Sequence, residues 1–215
     1  MMTLHYWPGY CSLATHIVLR WIGEPYRLKL AGFRLRQSDP FKQINPSATV
    51  PVLVDDDGWV LSQNVAILNY LAESHPKAGL TGDDARSRAI VNRWLGYINS
   101  DVHKAFSPLM HPERLPGNLA AQQQALDNAK TVLRRHFEVL DLELRQHPWI
   151  AGPRRSVADP YLFVLTRWAR DKGVELSNLE GVHAHFERLL RDVEVQTALA
   201  EEGLKDTNQA ARSEE

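Results

Sequence analysis

The sequence predicts a small mixed α/β domain followed by an all-helical domain. Strand and helix signals alternate over the first 75 or so residues, and strand signals cease beyond Pro76. Between the two patterns, residues 77–84 (KAGLTGDD) form a polar, glycine-bearing linker. The expected boundaries are 1–76 for the first domain, 77–84 for the linker, 85–205 for the helical domain and 206–215 for a polar tail.

Residues 3–7 (TLHYW) read as a strand that ends at Pro8-Gly9, which forces a turn. The segment 12–23 (SLATHIVLRWIG) then carries apolar residues at helical spacing. Gly23-Glu24-Pro25 introduces a short alternating strand over 26–30. A weakly helical or irregular stretch around 33–41 is ended by the Asn45-Pro46 turn signal. Residues 50–54 and 59–61 read as the two strands of a hairpin, with Gly58 supplying the positive φ such turns often need. Ser62-Gln63-Asn64 caps a helix over 65–74 that stops before His75-Pro76. The order is β-α-β-α-β-β-α: two strands joined through a helix imply a parallel pair, and the hairpin adds antiparallel strands. From Ala85 onward only helices are expected, near 85–109, 118–146, 157–171 and 179–191, with a short one near 194–201. Ser156-Val157-Ala158-Asp159 reads as a capping box with Asp in place of Glu, and Pro160 suits a first helical turn.

Over 215 residues the formal net charge is −1, which argues against a nucleic-acid binder, normally marked by a basic excess. One cysteine allows no intrachain disulfide and fits a reducing, cytoplasmic compartment. The N-terminus has no basic segment followed by an apolar core, and no apolar run approaches the roughly 18 residues needed to span a bilayer. A soluble chain with neither nucleic-acid nor membrane partners is expected.

Cys11 falls where the first strand breaks into the first helix. There the unpaired N–H groups and the positive end of the helix dipole stabilise an anion, so a lowered thiol pKa and a reactive thiolate are expected. The alternative is a buried cysteine packing as a small hydrophobe.

The segment Tyr6-Trp7-Pro8-Gly9-Tyr10-Cys11-Ser12-Leu13-Ala14 resembles the bacterial beta class of cytosolic glutathione transferases, which carry a PGACSLA-like stretch. Three further blocks match that family: Asn45-Pro46 with Val50-Pro51 and Leu53, Ala66-Ile67 with Tyr70-Leu71, and Val102-His103-Lys104-Ala105-Phe106. Ser156-Val157-Ala158-Asp159 is similar to the family's capping box. Each motif alone is weak; their order and spacing over residues 1 to about 205 are together specific. The resemblance implies a thioredoxin-like βαβαββα domain, an all-helical C-terminal domain, a homodimer, and glutathione as co-substrate without a metal. Small hydrophobic electrophiles would be the second substrate, in a detoxifying role.

The same resemblance implies catalytic roles for Cys11 and His103, and glutathione-binding roles for Val50, Pro51, Gln63, Asn64, Ser100, Asp101 and Lys104. If Pro51 is cis, as in the family, the N–H and C=O of Val50 are free of the sheet to pair with the tripeptide's cysteinyl backbone; a proline that merely ends a loop is the plainer alternative. His103 would hold or polarise a thiol, or else be a satisfied core residue. Lys104 would add positive potential, or else face solvent. Phe106, Met110 and Trp168 would wall an apolar acceptor site, or else form plain core.

Several positions depart from the family pattern. An acidic residue and a serine are usual before the third helix, where this chain has Gln63-Asn64. Asn64 can still cap that helix, and Gln63 can accept from an ammonium but brings no charge. A family asparagine seven residues before the histidine is Gly96 here, and a lysine after the second strand is unmatched, with Arg34 and Arg36 nearby. These changes imply weakened glutathione binding. Three functions remain open: conjugation of glutathione, monothiol exchange through Cys11 in the absence of a CxxC pair, and a binding protein that has lost glutathione activity.

Overall fold

The computed structural model describes residues 1–204; the tail expected over 206–215 lies outside the described residues. Tertiary contacts divide the chain into two units, Met1–Thr81 together with the segment from Arg188, and Gly82–Glu187.

In the first unit β1 (Met2–Tyr6), α1 (Ser12–Ile22), β2 (Tyr26–Leu30), α2 (Phe33–Arg36), α3 (Asp39–Ile44), β3 (Val52–Val54), β4 (Val60–Ser62) and α4 (Asn64–Ser74) follow one another. The sheet order is β2-β1-β3-β4, with β1 parallel to β2 and antiparallel to β3, and β3 antiparallel to β4. This is the thioredoxin-like arrangement. The stretch around 33–41 resolves into two short helices. The third strand is shorter than the expected 50–54, because Val50 and the cis peptide to Pro51 stand outside a ladder that begins at Val52. Every residue of α1 except Arg20 and Ile22 is buried. Gly23 ends α1 in the left-handed region at φ 74°, its N–H reaching the carbonyls of Leu19 and Arg20.

The second unit is helical. α5 (Ala85–Tyr97) opens on Asp84, whose carboxylate accepts the N–H groups of Arg86 and Ser87 while the Ser87 hydroxyl accepts that of Asp84. This capping box begins at Asp84, the last residue of the expected linker. The unbroken helix expected over 85–109 is α5, a π-turn (Ile98–Val102), α6 (His103–Ala105) and α7 (Ser107–Met110). α8 (Leu119–Leu144), α9 (Ala158–Asp171) and α10 (Glu180–Leu190) follow close to their expected spans.

α9 is buried at every position from Ala158 to Ala169, so its N-terminal N–H groups have no water to turn to. Asp159 answers this. Its Oδ2 accepts the Ser156 N–H at 2.7 Å and the Ser156 hydroxyl at 3.0 Å, the carboxylate half of the expected capping box, and Ser156 Oγ so held accepts the first helical N–H, that of Ala158, at 3.3 Å. Its Oδ1 accepts the Ile150 N–H at 2.9 Å and lies 3.0 Å from His185 Nε2. On α8, Asp141 caps α10 by accepting the N–H groups of Gly181 and Val182 at 2.8 and 3.1 Å. Gly181 is required there, since a Cβ would stand 2.9 Å from backbone atoms of Asp141, Leu144 and Arg145.

The last helix among the described residues, α11 (Val193–Glu201), packs on α1 inside the first unit. Its contact centres on His16, fully buried, with Nδ1 3.0 Å from Glu202 and Nε2 2.8 Å from Glu201. Glu202 also accepts the Gly9 N–H at 2.9 Å, which ties the loop before Cys11 to the C-terminal segment.

Replacing Asp159 by Ala strands the buried Ile150 and Ser156 N–H groups and His185. Each orphaned donor costs about 1–3 kcal/mol, so Asp159→Ala should lose at least about 3 kcal/mol, read as a lower urea midpoint. A loss within about 0.5 kcal/mol, the range of a neutral surface change, would show that the carboxylate organises nothing.

Candidate active site

Cys11 is presented by a turn built on three local bonds. The Trp7 N–H donates to Ser12 Oγ, the Ser12 hydroxyl donates to the Trp7 carbonyl, and the Tyr10 N–H donates to the same carbonyl. Gly9 takes φ 72°, a conformation open to glycine at little cost. Cys11 stands at the N-cap of α1, and its S–H donates to the Val50 carbonyl at 3.5 Å. Val50 is carried there by Asn45, whose Nδ2 donates to the Thr49 carbonyl while its Oδ1 accepts the Ser47 N–H. The Val50 N–H makes no hydrogen bond among the described residues.

The expected activation of the thiol is overturned. Burial pushes the Cys11 thiol up to about 12, against the smaller opposing pull of the Cys11 and Ser12 N–H groups and of Arg36. The helix terminus acts as expected, but removing a thiolate from water costs more than two amides and a neighbouring cation return.

The start of α4 lies in the same unit. Gln63 stands at its N-cap with φ 75° and ψ 117°, strained for a residue with a side chain, and makes no side-chain cap. Its side chain is exposed. The cap expected from Asn64 is absent as well. Asn64 lies inside the helix, its Oδ1 accepts from the Thr15 hydroxyl at 2.9 Å, and its Nδ2 is buried without a partner. An uncapped helix start beside an orphaned amide N–H is a site made for an anion. Of the two arginines near the missing lysine, Arg34 is exposed, whereas Arg36 reaches the Ala48 carbonyl at 3.5 Å and lies 5.9 Å from the Tyr10 ring centre. Arg36 Nε is buried and unpartnered. Cys11, Val50 and Arg36 thus share one loop cluster.

The remaining site residues belong to the second unit. Ser100, Asp101 and Lys104 are exposed. Ser100 and Asp101 line a surface depression of about 430 Å³ with Tyr97, Gly96 and Val139. His103 faces the other way, with Nδ1 2.6 Å from the Tyr161 hydroxyl and its ring edge-on to Trp168 at 5.0 Å. Burial lowers its pKa, so the ring is neutral at pH 7. Phe106 and Trp168, expected as walls of an acceptor site, pack edge-to-face at 5.5 Å as buried core. Thr15, Asn99 and Tyr161 were missed. Nothing in a single sequence distinguishes a helix-interior Tyr or Thr that serves a partner from one that fills space. Among the described residues no group of three or more His, Cys, Asp or Glu side chains could hold a metal, and no helix is long and apolar enough to cross a membrane.

Two family models match the chain: "Glutathione S-transferase, N-terminal domain" over residues 10–74 and "Glutathione S-transferase, C-terminal domain" over residues 97–192. The chain belongs to the glutathione S-transferase family. Glutathione S-transferase GST-4.5 of Xanthomonas campestris pv. campestris is 44% identical over 204 residues, 94% of this chain and 100% of that protein. A solved glutathione S-transferase from Xylella fastidiosa has a TM-score of 0.92 at 40% identity, covering 95% of this chain and 100% of that one. The bacterial beta-class enzyme of Sphingomonas chungbukensis has a TM-score of 0.81 at 35% identity, covering 94% and 100%.

With its pKa pushed up to about 12, Cys11 is a thiol, not a thiolate, at pH 7. Alkylation by iodoacetamide should therefore be far slower than that of a free thiol and should still be rising at pH 10. A plateau with its midpoint at or below about 8.5, the value for an ordinary thiol, would show that the helix terminus dominates.

Proposed function

We propose that this enzyme conjugates the thiolate of glutathione to small hydrophobic electrophiles, working as a cytoplasmic, detoxifying homodimer. The observation that carries the reading is the Cys11 thiol bonded to the Val50 carbonyl beside cis-Pro51. Glutathione's cysteinyl backbone pairs with the free Val50 N–H, as a strand adds to a sheet edge. Its γ-glutamyl carboxylate sits on the uncapped N–H groups of α4 and the orphaned Asn64 Nδ2. Gln63 accepts from the ammonium without charge, so binding is weaker than with a carboxylate there. Arg36 offers the second carboxylate its cation.

In this scheme Cys11 remains a thiol. Its S–H turns from the Val50 carbonyl to the glutathione sulfur and stabilises the thiolate as a hydrogen-bond donor once that sulfur has given its proton to water. The high Cys11 pKa disfavours monothiol exchange, because the attacking group in exchange must be a thiolate. The reading as a binding protein draws only on the Gln63, Asn64 and Gly96 departures.

Calorimetry with glutathione and S-hexylglutathione tests the proposal. Gln63→Glu should tighten glutathione by roughly tenfold, the worth of one charge-assisted bond of about 1.5 kcal/mol, and the gain should shrink in high salt. Unchanged affinity in Gln63→Glu would mean that neutral groups suffice there and that binding is not weakened. Cys11→Ala should keep conjugation within about a hundredfold of wild type, the limit set by one hydrogen bond to a charged sulfur, while losing any mixed disulfide with glutathione. Equal and complete loss of both would refute the division of roles. Sedimentation as a monomer at micromolar concentration would sink the dimer.

A further inference from the structure

α1 and α4 pack against each other within the sheet-bearing unit, and a side-chain hydrogen bond joins them. Thr15, fully buried on α1, gives its hydroxyl hydrogen to Asn64 Oδ1 at 2.9 Å. Asn64 is the first residue of α4 and only 5% exposed. Neither side chain makes another hydrogen bond among the described residues. The amide therefore uses its oxygen inside the fold and leaves Nδ2, with two hydrogens, buried without an acceptor. Oxygen and nitrogen diverge from the amide carbon, so Nδ2 is turned away from Thr15. The backbone N–H groups of the same first turn, those of Asn64, Val65 and Ala66, have no acceptor among the described residues either.

Turned over, the amide would be worse served. Nδ2 would then donate to Thr15 Oγ1, and both the Thr15 hydrogen and Asn64 Oδ1 would be left over, since Thr15 Oγ1 has no other partner among the described residues. The Thr15 hydroxyl thus decides which end of the amide is spare. A spare N–H in a turn of unsatisfied backbone N–H groups attracts an anion, whereas a spare oxygen there would repel one. Gln63 leaves the turn open, because its strained backbone at φ 75° carries a side chain that makes no cap.

We propose that Thr15 is a positioning residue for glutathione: its hydroxyl holds the Asn64 amide so that Nδ2 donates to the α-carboxylate of the γ-glutamyl group. This inference rests on the glutathione site proposed above and adds to it the residue that orients the donor. The hydrogens run in one direction, from the Thr15 hydroxyl to Asn64 Oδ1 and from Nδ2 to the carboxylate, so each bond polarises the next. The second meets a charged acceptor, the stronger class of hydrogen bond. An amide N–H can only donate, whereas a hydroxyl in its place could turn and accept. The start of α4 therefore selects a carboxylate and rejects an ammonium at that end of the ligand.

The test is calorimetry on the full chain with two ligands: glutathione, and γ-aminobutyryl-cysteinylglycine, which is glutathione without the α-carboxylate. Wild type should bind glutathione at least about tenfold more tightly than the analogue. Thr15→Val removes the hydroxyl at nearly constant volume; glutathione should weaken about tenfold and the analogue by less than about twofold. Thr15→Ala repeats the removal with less bulk, so a Val variant that fails to fold leaves the test intact. Thr15→Ser returns the hydroxyl and should recover glutathione affinity to within about threefold of wild type. Asn64→Asp suits the first turn of a helix and still accepts from Thr15, but offers no N–H. It should weaken glutathione at least about thirtyfold, while the analogue, with an ammonium and no carboxylate, binds no more weakly than to wild type. Equal weakening of both ligands on loss of the hydroxyl would mark Thr15 as merely structural and overturn the inference. So would unchanged glutathione affinity in that variant, no recovery in Thr15→Ser, or undiminished glutathione binding by Asn64→Asp. An analogue that binds wild type as tightly as glutathione overturns this inference and leaves the glutathione site standing. Absence of glutathione binding to wild type overturns both.

Discussion

A single buried carboxylate sets the geometry of the helical unit. Asp159 collects the start of α9, the Ile150 backbone and His185 of α10 onto its two oxygens. A carboxylate that accepts from three segments can do so only when each lies within hydrogen-bond distance, so it fixes their mutual positions as apolar contact alone cannot. Tyr161 and Trp168 then project from the helix it anchors, and His103 is placed against them. The residue read from sequence as a helix cap therefore also fixes Tyr161, two residues further along the same helix, against which His103 is bonded.

In the first unit two effects compete at one atom. The N-terminal turn of α1 favours a charge on Cys11, and burial opposes it; burial is the larger. The outcome changes the chemistry assigned to the residue. A thiol that remains protonated is a poor nucleophile but a serviceable hydrogen-bond donor, and the Val50 carbonyl already uses it as one. Arg36, near the same loops, adds a cation that a bound anion could use.

The element order, the sheet, the Ser156-Asp159 cap and the helices beyond residue 85 were legible in the sequence because each rests on short-range signals: apolar period, turn residues and caps. Features set by tertiary position were not. The Cys11 pKa depends on how deeply Val50 and Arg36 enclose it. Gln63 was read as part of a cap, yet its backbone is held in a left-handed conformation that sequence does not encode for glutamine. Asn64 was expected to cap α4 and instead bonds Thr15 across to α1. The π-turn was invisible, because one added residue in a helical rod leaves an apolar pattern that still reads as helix. His103 was found by likeness to a family, whereas Tyr161, which bonds it, and Asn99, which Tyr161 bonds, carry no local signature.

The pairing of α1 with α11 has a bearing on how the molecule is made. A ribosome releases β1, α1 and the rest of the sheet well before it adds α11, with the whole helical unit synthesised in between. Until then His16 lacks the Glu201 and Glu202 carboxylates that flank it in the finished fold, and Gly9 lacks its acceptor. A nascent chain at that stage holds a sheet whose covering helix is unsecured, with apolar surface open to chaperones. The first unit to emerge is thus completed only after the helical unit has been synthesised, and the loop that bears Cys11 gains the Glu202 tether only once that residue has emerged.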